Sequence, residues 1–160
     1  MNELRRVVIF TDGSCKPNPG RGGYGVVLCF DGSYKEISCG YRKTTNNRME
    51  MMAAIEGLET LKQRCNVTLH SDSKYLVDAI RERWVYKWQS RGWMRNNIER
   101  AENSDLWERL INVCARHDVD FQWVKGHAGD PLNERCDQLA GEAANGSYLE
   151  TDVGYEDQFP

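Results

Sequence analysis

Four carboxylates stand where an ionised side chain is costly. Asp12 follows the apolar run Val7-Val8-Ile9-Phe10-Thr11, and at a period of two it shares a face with Val8 and Phe10. Glu50 lies in a segment of helical pattern, with Ala54, Gly57, Leu58 and Leu61 at helical spacing, so it points toward an apolar stripe. Asp72 closes the strand-like run Asn66-Val67-Thr68-Leu69-His70-Ser71, at the carboxyl end where α/β sheets place ligands. Asp137 shares a helix face with Ala140, Gly141 and Ala144, small residues that permit close approach to a sheet. Acids turned inward from separate elements repel one another unless a cation neutralises them. An all-oxygen donor set suits a hard cation, magnesium or manganese, rather than zinc. Shared carboxylates can hold two such ions about 3.5–4 Å apart, which is the arrangement of two-metal phosphoryl chemistry. The chemistry implied is phosphodiester cleavage by water. His127, in Gly126-His127-Ala128-Gly129, sits between the fifth strand and the last helix, where an imidazole can serve as a proton shuttle.

Each residue taken singly has an ordinary explanation. Asp12-Gly13 and Asp72-Ser73 are common turn pairs, Glu50 could snorkel, and Asp137 could pair with Arg135 or Lys125. A lone loop histidine is ordinarily just solvated, and His70 and His117 read as structural. The coincidence of four acids is what carries the functional reading.

The elements that position these residues follow from pattern. Strands are predicted over 7–11, 23–30 and 34–41, with Asp31-Gly32 as a hairpin turn, giving an antiparallel meander. A helix capped by Asn46 or Asn47 runs to about 64. A strand over 66–72, a helix over 73–83, a short helix and turn over 84–93 and a helix over 104–117, capped by Ser104, come next. A strand over 120–125 and a helix over 133–145 complete the order. The expectation is an α/β fold: one five-stranded mixed sheet, three antiparallel strands then two parallel, flanked by helices on both faces. Residues 1–146 form a single catalytic domain in this reading, and residues 147–160 a mobile acidic tail.

Composition narrows the class. A chain of 160 residues with 40% hydrophobic content supports one domain with a real core. No stretch approaches the roughly 20 apolar residues of a membrane span, and the start has no secretory apolar region, so a soluble cytoplasmic protein is expected. Six scattered cysteines without a CxxC pair argue for reduced thiols rather than zinc or disulfides. The formal net charge of −3 hides an asymmetry: Arg81, Arg83, Lys87, Arg91, Arg95 and Arg100 face only Glu82 and Glu99, whereas the tail carries Glu150, Asp152, Glu156 and Asp157 unopposed. A local basic surface for nucleic acid is compatible with that distribution.

The ordered motifs Thr11-Asp12-Gly13-Ser14-Cys15, Gly22-Gly23-Tyr24-Gly25, Thr45-Asn46-Asn47-Arg48-Met49-Glu50, Ser71-Asp72-Ser73, Trp123-Val124-Lys125-Gly126-His127 and Asn133-Glu134-Arg135-Cys136-Asp137 resemble type 1 ribonuclease H. The resemblance covers nearly the whole chain, from about Val7 to Tyr155, and the ordered set is highly specific. It implies a magnesium-dependent endoribonuclease that cuts the RNA strand of RNA–DNA hybrids and leaves 5′-phosphate and 3′-hydroxyl ends. Asp12, Glu50, Asp72 and Asp137 match the family's metal-binding carboxylates, and His127 its proton-transfer or product-release histidine. Cys15, Asn18 and Asn47 match positions on the RNA side, Lys43, Thr45 and Asn103 the DNA-phosphate pocket, and Trp84 the groove aromatic. Asn46 and Lys74 complete the expected substrate contacts, although Lys74 stands where many relatives have glutamine.

One or two magnesium ions per site, with manganese as a substitute, and a monomer without an added hybrid-binding domain are the further expectations. The stretch 94–102 replaces a loop that is lysine-rich in well-known bacterial relatives, so the basic handle is diluted here. Trp84, Trp88 and Trp93 read mainly as a packing cluster. A non-catalytic hybrid- or duplex-binding module and a DNA-cutting nuclease of the same fold are the competing readings. A pure binder gains nothing from four inward acids facing a phosphate backbone. The Thr-Asn-Asn-Arg-Met-Glu and Gly-His motifs favour ribonuclease H over the DNA-cutting relatives.

Overall fold

The computed structural model describes residues 3–158, so the readings of Met1 and Asn2 and of the tail's Phe159 and Pro160 lie outside the described residues. Strands β1 (Arg5–Cys15), β2 (Gly20–Phe30) and β3 (Ser33–Thr44) form the expected meander. Asp31 and Gly32 both take positive φ, 49° and 74°, the primed turn whose twist matches a two-residue hairpin. Helix α1 (Asn46–Glu59) leads to β4 (Cys65–Ser71). Three helices, α2 (Lys74–Arg81), α3 (Trp84–Ser90) and α4 (Ser104–Cys114), lead to β5 (Asp118–Trp123). The chain closes with α5 (Pro131–Ala144) and a single turn, α6 (Val153–Glu156). The sheet order is β3-β2-β1-β4-β5, with β4 parallel to both β1 and β5.

Alternation along β2 assigns the two faces. Val26 belongs to the larger core with Ile9, Ile55, Leu58, Leu69, Trp107 and Leu110, whereas its neighbour Val27 packs with Cys136 and Leu139 of α5. Helices α1 and α4 therefore cover one face and α5 the other. Ile9, Ile55, Leu58 and Trp107 are all fully buried, and each buried side chain of this size contributes roughly 1.5–3 kcal/mol of transfer free energy. Buried between sheet and α4, α1 is enclosed along most of its length, which explains its weak amphipathic pattern. Close contact of α5 with β2 depends on Gly25, where a Cβ would collide with the Cys136 carbonyl.

Element ends differ from the pattern reading in ways the caps explain. Thr45, not Asn46 or Asn47, caps α1 by accepting from Arg48 N at 3.2 Å, and the helix stops at Glu59. Asp130 caps α5, which begins at Pro131 because proline suits a first turn that needs no N–H partner. Asn103 precedes α4 in a left-handed conformation and makes no capping bond, leaving its side chain for other partners.

The expected mobile tail is corrected. Glu150 pairs with the β3 edge, donating to Gly40 O at 2.8 Å and accepting from Arg42 N at 3.0 Å. Asp152 is buried against Arg48 and Thr44, and Glu156 pairs with Arg42. Composition showed four acids without basic neighbours. The side-chain partners of Asp152 and Glu156 are supplied by β3 and α1, about a hundred residues earlier in the chain.

Candidate active site

Strand β1 runs on to Cys15, so Asp12 lies inside the strand rather than at its end, opposite Gly25. Glu50 is in the first turns of α1, and Asp72 directly follows β4. The parallel pairing of β1 with β4, reinforced by Thr11 Oγ1 donating to His70 O at 3.0 Å, brings these three points together. Oxygens of Asp12, Glu50 and Asp72 lie within 4.8 Å of one another. Asp12 and Glu50 are buried, and Asp72 is half-buried.

One backbone N–H serves two of the acids: Gly13 N donates to Glu50 Oε1 at 2.6 Å and to Asp12 Oδ1 at 3.0 Å. Ser71 Oγ adds a long bond of 3.4 Å to Glu50 Oε2. Among the described residues no lysine or arginine is ion-paired to any of the three. Burial is the main reason the Asp12 carboxyl is pushed up to about 7, and the charges of Asp72 and Asp137 raise it further. Burial and then the neighbouring Asp12 hold Glu50 well above the usual carboxylate range. Asp72 is raised by burial, an effect opposed in part by hydrogen bonds and by His127. Three desolvated acids without a protein cation form a site that favours bound positive charge.

Asp137 is not in that group. It gathers instead with His127 and Glu134, their ligand atoms again within 4.8 Å of one another. The two groups adjoin, since Asp137 acts on Asp12 and His127 on Asp72. His127 adopts φ 55°, and a Cβ at the preceding Gly126 would stand 2.6 Å from Asp72 Oδ2, so the histidine loop passes directly over that carboxylate. Glu134 was not singled out by pattern. Its signal was the three-residue spacing from Asp137 on one helix face. Arg135 does not pair with Asp137; it binds Glu36 through two bonds of 2.5 and 2.9 Å.

The residues expected at a nucleic-acid surface fall into two neighbourhoods. Thr45 and Asn103 are joined through Arg48, whose backbone binds Thr45 Oγ1 and whose Nη1 donates to Asn103 Oδ1 at 3.3 Å; Asn103 Nδ2 in turn donates to Tyr75 OH. Lys43 is exposed at the end of β3 nearby. Asn18 Oδ1 accepts from Asn46 N at 3.1 Å, so the 16–19 loop is tied to the first turn of α1 beside half-buried Asn47. Cys15 is buried, its thiol directed to the Pro17, Gly20 and Thr44 carbonyls, and any contact it makes to a ligand is through its main chain. Trp84 is 44% exposed and lines a shallow cleft of about 260 Å³ with Tyr75, Trp88 and Arg95, while Trp88 packs edge-on to Trp107. Lys74 begins α2, two residues after Asp72.

All six cysteines are free thiols, and no helix among the described residues is long and apolar enough to cross a membrane. His117 Nδ1 accepts from Cys65 N, and His70 stacks on Phe10 at 4.7 Å, so neither joins the acidic groups.

Comparison with known proteins gives a consistent set. Residues 4–145 match the family model described as RNase H. A protein named Ribonuclease H from Desulforamulus reducens is 58% identical over 150 residues, covering 94% of both chains. A Ribonuclease H of Rippkaea orientalis is 56% identical over 154 residues, covering 96% of this chain and 94% of its own. Among solved structures, LC9-RNase H1, a type 1 RNase H with the type 2 active-site motif, superposes with a TM-score of 0.82 at 32% identity, covering 99% of this chain and 82% of its own. LC11-RNase H1, solved in complex with an RNA/DNA hybrid, shares the fold at a TM-score of 0.67 and 23% identity, covering 86% of this chain and 96% of its own.

Proposed function

From a chain that belongs to the ribonuclease H family, we infer an endoribonuclease that hydrolyses the RNA strand of RNA–DNA hybrids with a divalent cation. The observation that carries this is the convergence of Asp12, Glu50 and Asp72, three desolvated carboxylates with no ion pair to a lysine or arginine among the described residues. Their donors are all oxygen, which fits magnesium, with manganese as a substitute and one or two ions per site. Asp12, Glu50 and Asp72 would hold the cation, and Asp137 borders the same space. The chemistry a bound cation supplies is neutralisation of phosphodiester charge and acidification of the attacking water.

The chain's own residues do the rest. Gly13 N–H ties Asp12 and Glu50 to one donor, and the two carboxylates offer oxygens within 4.8 Å of each other. His127 stands on its loop beside Asp72 and near Asp137, where an imidazole can move a proton to or from the phosphate oxygens during turnover. Thr45 and Asn103, with Lys43, form the neighbourhood proposed for a DNA phosphate, and Trp84 supports the same strand. Asn18, Asn46, Asn47 and Lys74 lie on the side proposed for RNA, with Cys15 contributing its main chain. Sensing a 2′-hydroxyl on that side separates RNA from DNA.

The test is to offer one base sequence as RNA–DNA hybrid, RNA duplex and DNA duplex, with and without magnesium. Cutting of the RNA strand in the hybrid alone, abolished by chelator, is the expected result. Binding without cutting would make the chain a non-catalytic module, and cutting of DNA would make it a resolvase-like nuclease.

A further inference from the structure

Lys74 and Trp123 come from different elements, the start of α2 and the end of β5, and meet beside the carboxylates. The Lys74 ammonium lies 4.9 Å from the centre of the Trp123 ring. The indole Nε1 donates to the backbone carbonyl of Asp72 at 3.1 Å, which fixes the ring against the acidic site. Trp123 is nevertheless 44% exposed, and Lys74 is exposed with no ion pair among the described residues. An exposed lysine ordinarily samples many rotamers, and that freedom is lost when it binds a ligand. Contact with a ring face narrows the rotamers beforehand without neutralising the charge.

We propose that Trp123 is a positioning residue that holds the Lys74 ammonium toward a phosphate of the strand being cut, next to the phosphodiester engaged by Asp12, Glu50 and Asp72. This rests on the hybrid-cleaving reading above and deepens it. Two features favour a phosphate as the ligand. The charge is held two residues from Asp72 yet forms no ion pair with the acids it adjoins, so it remains available to an anion entering the site. A substrate that brings one phosphate to the carboxylates must also place its neighbours within reach of groups bordering them, and Lys74 is a cation on that border. The contact is electrostatic, so it adds affinity along any base sequence and is weakened by salt.

The experiment is equilibrium binding of a short fluorescent RNA–DNA hybrid in metal-free buffer across a range of potassium chloride, for wild type, Lys74→Gln, Trp123→Phe, Trp123→Ala and the Lys74→Gln/Trp123→Ala double variant. Lys74→Gln should lower the magnitude of the log K against log salt slope by roughly one, the loss of one phosphate contact. Trp123→Phe keeps a ring but loses the Nε1 bond to the Asp72 carbonyl, so it should keep part of the Lys74 contribution to the slope, whereas Trp123→Ala should lose most of that single-contact contribution. The double variant should then be no weaker than Lys74→Gln alone. Steady-state cleavage should show Lys74→Gln raising KM several-fold with kcat little changed. An unchanged slope in Lys74→Gln overturns the phosphate contact. Additive losses in the double variant overturn the positioning role of Trp123. Wild-type protein that neither binds nor cuts the hybrid takes down the functional reading and this inference with it, an outcome distinct from binding with an unaltered slope.

Discussion

Arg48 and Asp152, 104 positions apart, share two hydrogen bonds with both side chains buried: Nε to Oδ2 at 2.8 Å and Nη2 to Oδ1 at 2.9 Å. Arg48 also reaches Asp105 through two bonds of 2.9 and 2.7 Å, and Thr44 Oγ1 donates to Asp152 Oδ2 at 2.7 Å. One guanidinium thus joins the C-terminal segment, the start of α4 and the turn that leads into α1. Glu50 is two residues further along that helix, so the anchor of the C-terminal segment is part of what holds the acidic site.

Removing one member of a buried ion pair leaves a charge without compensation. Asp152→Ala should therefore cost about 3 kcal/mol, the low end of the range for such pairs because Asp105 still engages Arg48. Urea unfolding at neutral pH checks this. A loss of only a few tenths of a kcal/mol would mean the segment is not a clasp.

Asp12→Asn should abolish metal-dependent cleavage while stabilising the metal-free fold at alkaline pH. The folded carboxyl titrates near 7 and the unfolded one near its ordinary value of 3.8, so the native state holds the extra proton between them. Stability from this group is complete below about pH 4 and is lost as pH rises through 7. The variant should match wild type at low pH and exceed it at pH 8, on the order of a few kcal/mol at most. Thermal melts in chelator at a series of pH values measure the difference; wild type as stable as the variant at pH 8 would contradict the burial argument.

Magnesium should stabilise wild-type protein at pH 8 and do so less at pH 5, where protons occupy the carboxylates. At a hundred times its dissociation constant an ion that binds only the native state contributes about 2.7 kcal/mol. Calorimetry with and without the ion reads this directly. Asp12→Asn should lose the response, and a response of equal size in that variant would place binding elsewhere.

His127→Ala should slow single-turnover cleavage by roughly 10²–10⁴-fold if the imidazole carries the proton. A normal rate for that step, with only product release altered, would reassign it to the exit of products.

Hybrid affinity should be lower, and its salt dependence shallower, than in relatives with a lysine-rich handle. Of the six cations in the handle, Arg95 is ion-paired with Glu99, which leaves Arg81, Arg83, Lys87, Arg91 and Arg100 without an ion pair among the described residues. Matched log K against log salt plots for both proteins decide it, and equal slopes would refute the expectation.

The strands, the Asp31-Gly32 hairpin and the two buried faces were legible in the residues because alternation and turn chemistry are local. So was the suspicion attached to Asp12, Glu50, Asp72 and Asp137, since an acid in an apolar pattern is anomalous without any partner in view. What pattern could not supply was distance. That Asp12, Glu50 and Asp72 converge while Asp137 stands with His127 and Glu134 depends on the parallel β1–β4 pairing and the seating of α5. The C-terminal segment, read as a mobile acidic tail, is docked because Arg48, Arg42 and the β3 edge meet it in space. The ring that holds Lys74 is likewise visible only once β5 lies beside α2. Local chemistry reaches only a few residues along the chain, whereas ion pairs, shared protons and converging ligands are set by which elements the packed core brings into contact.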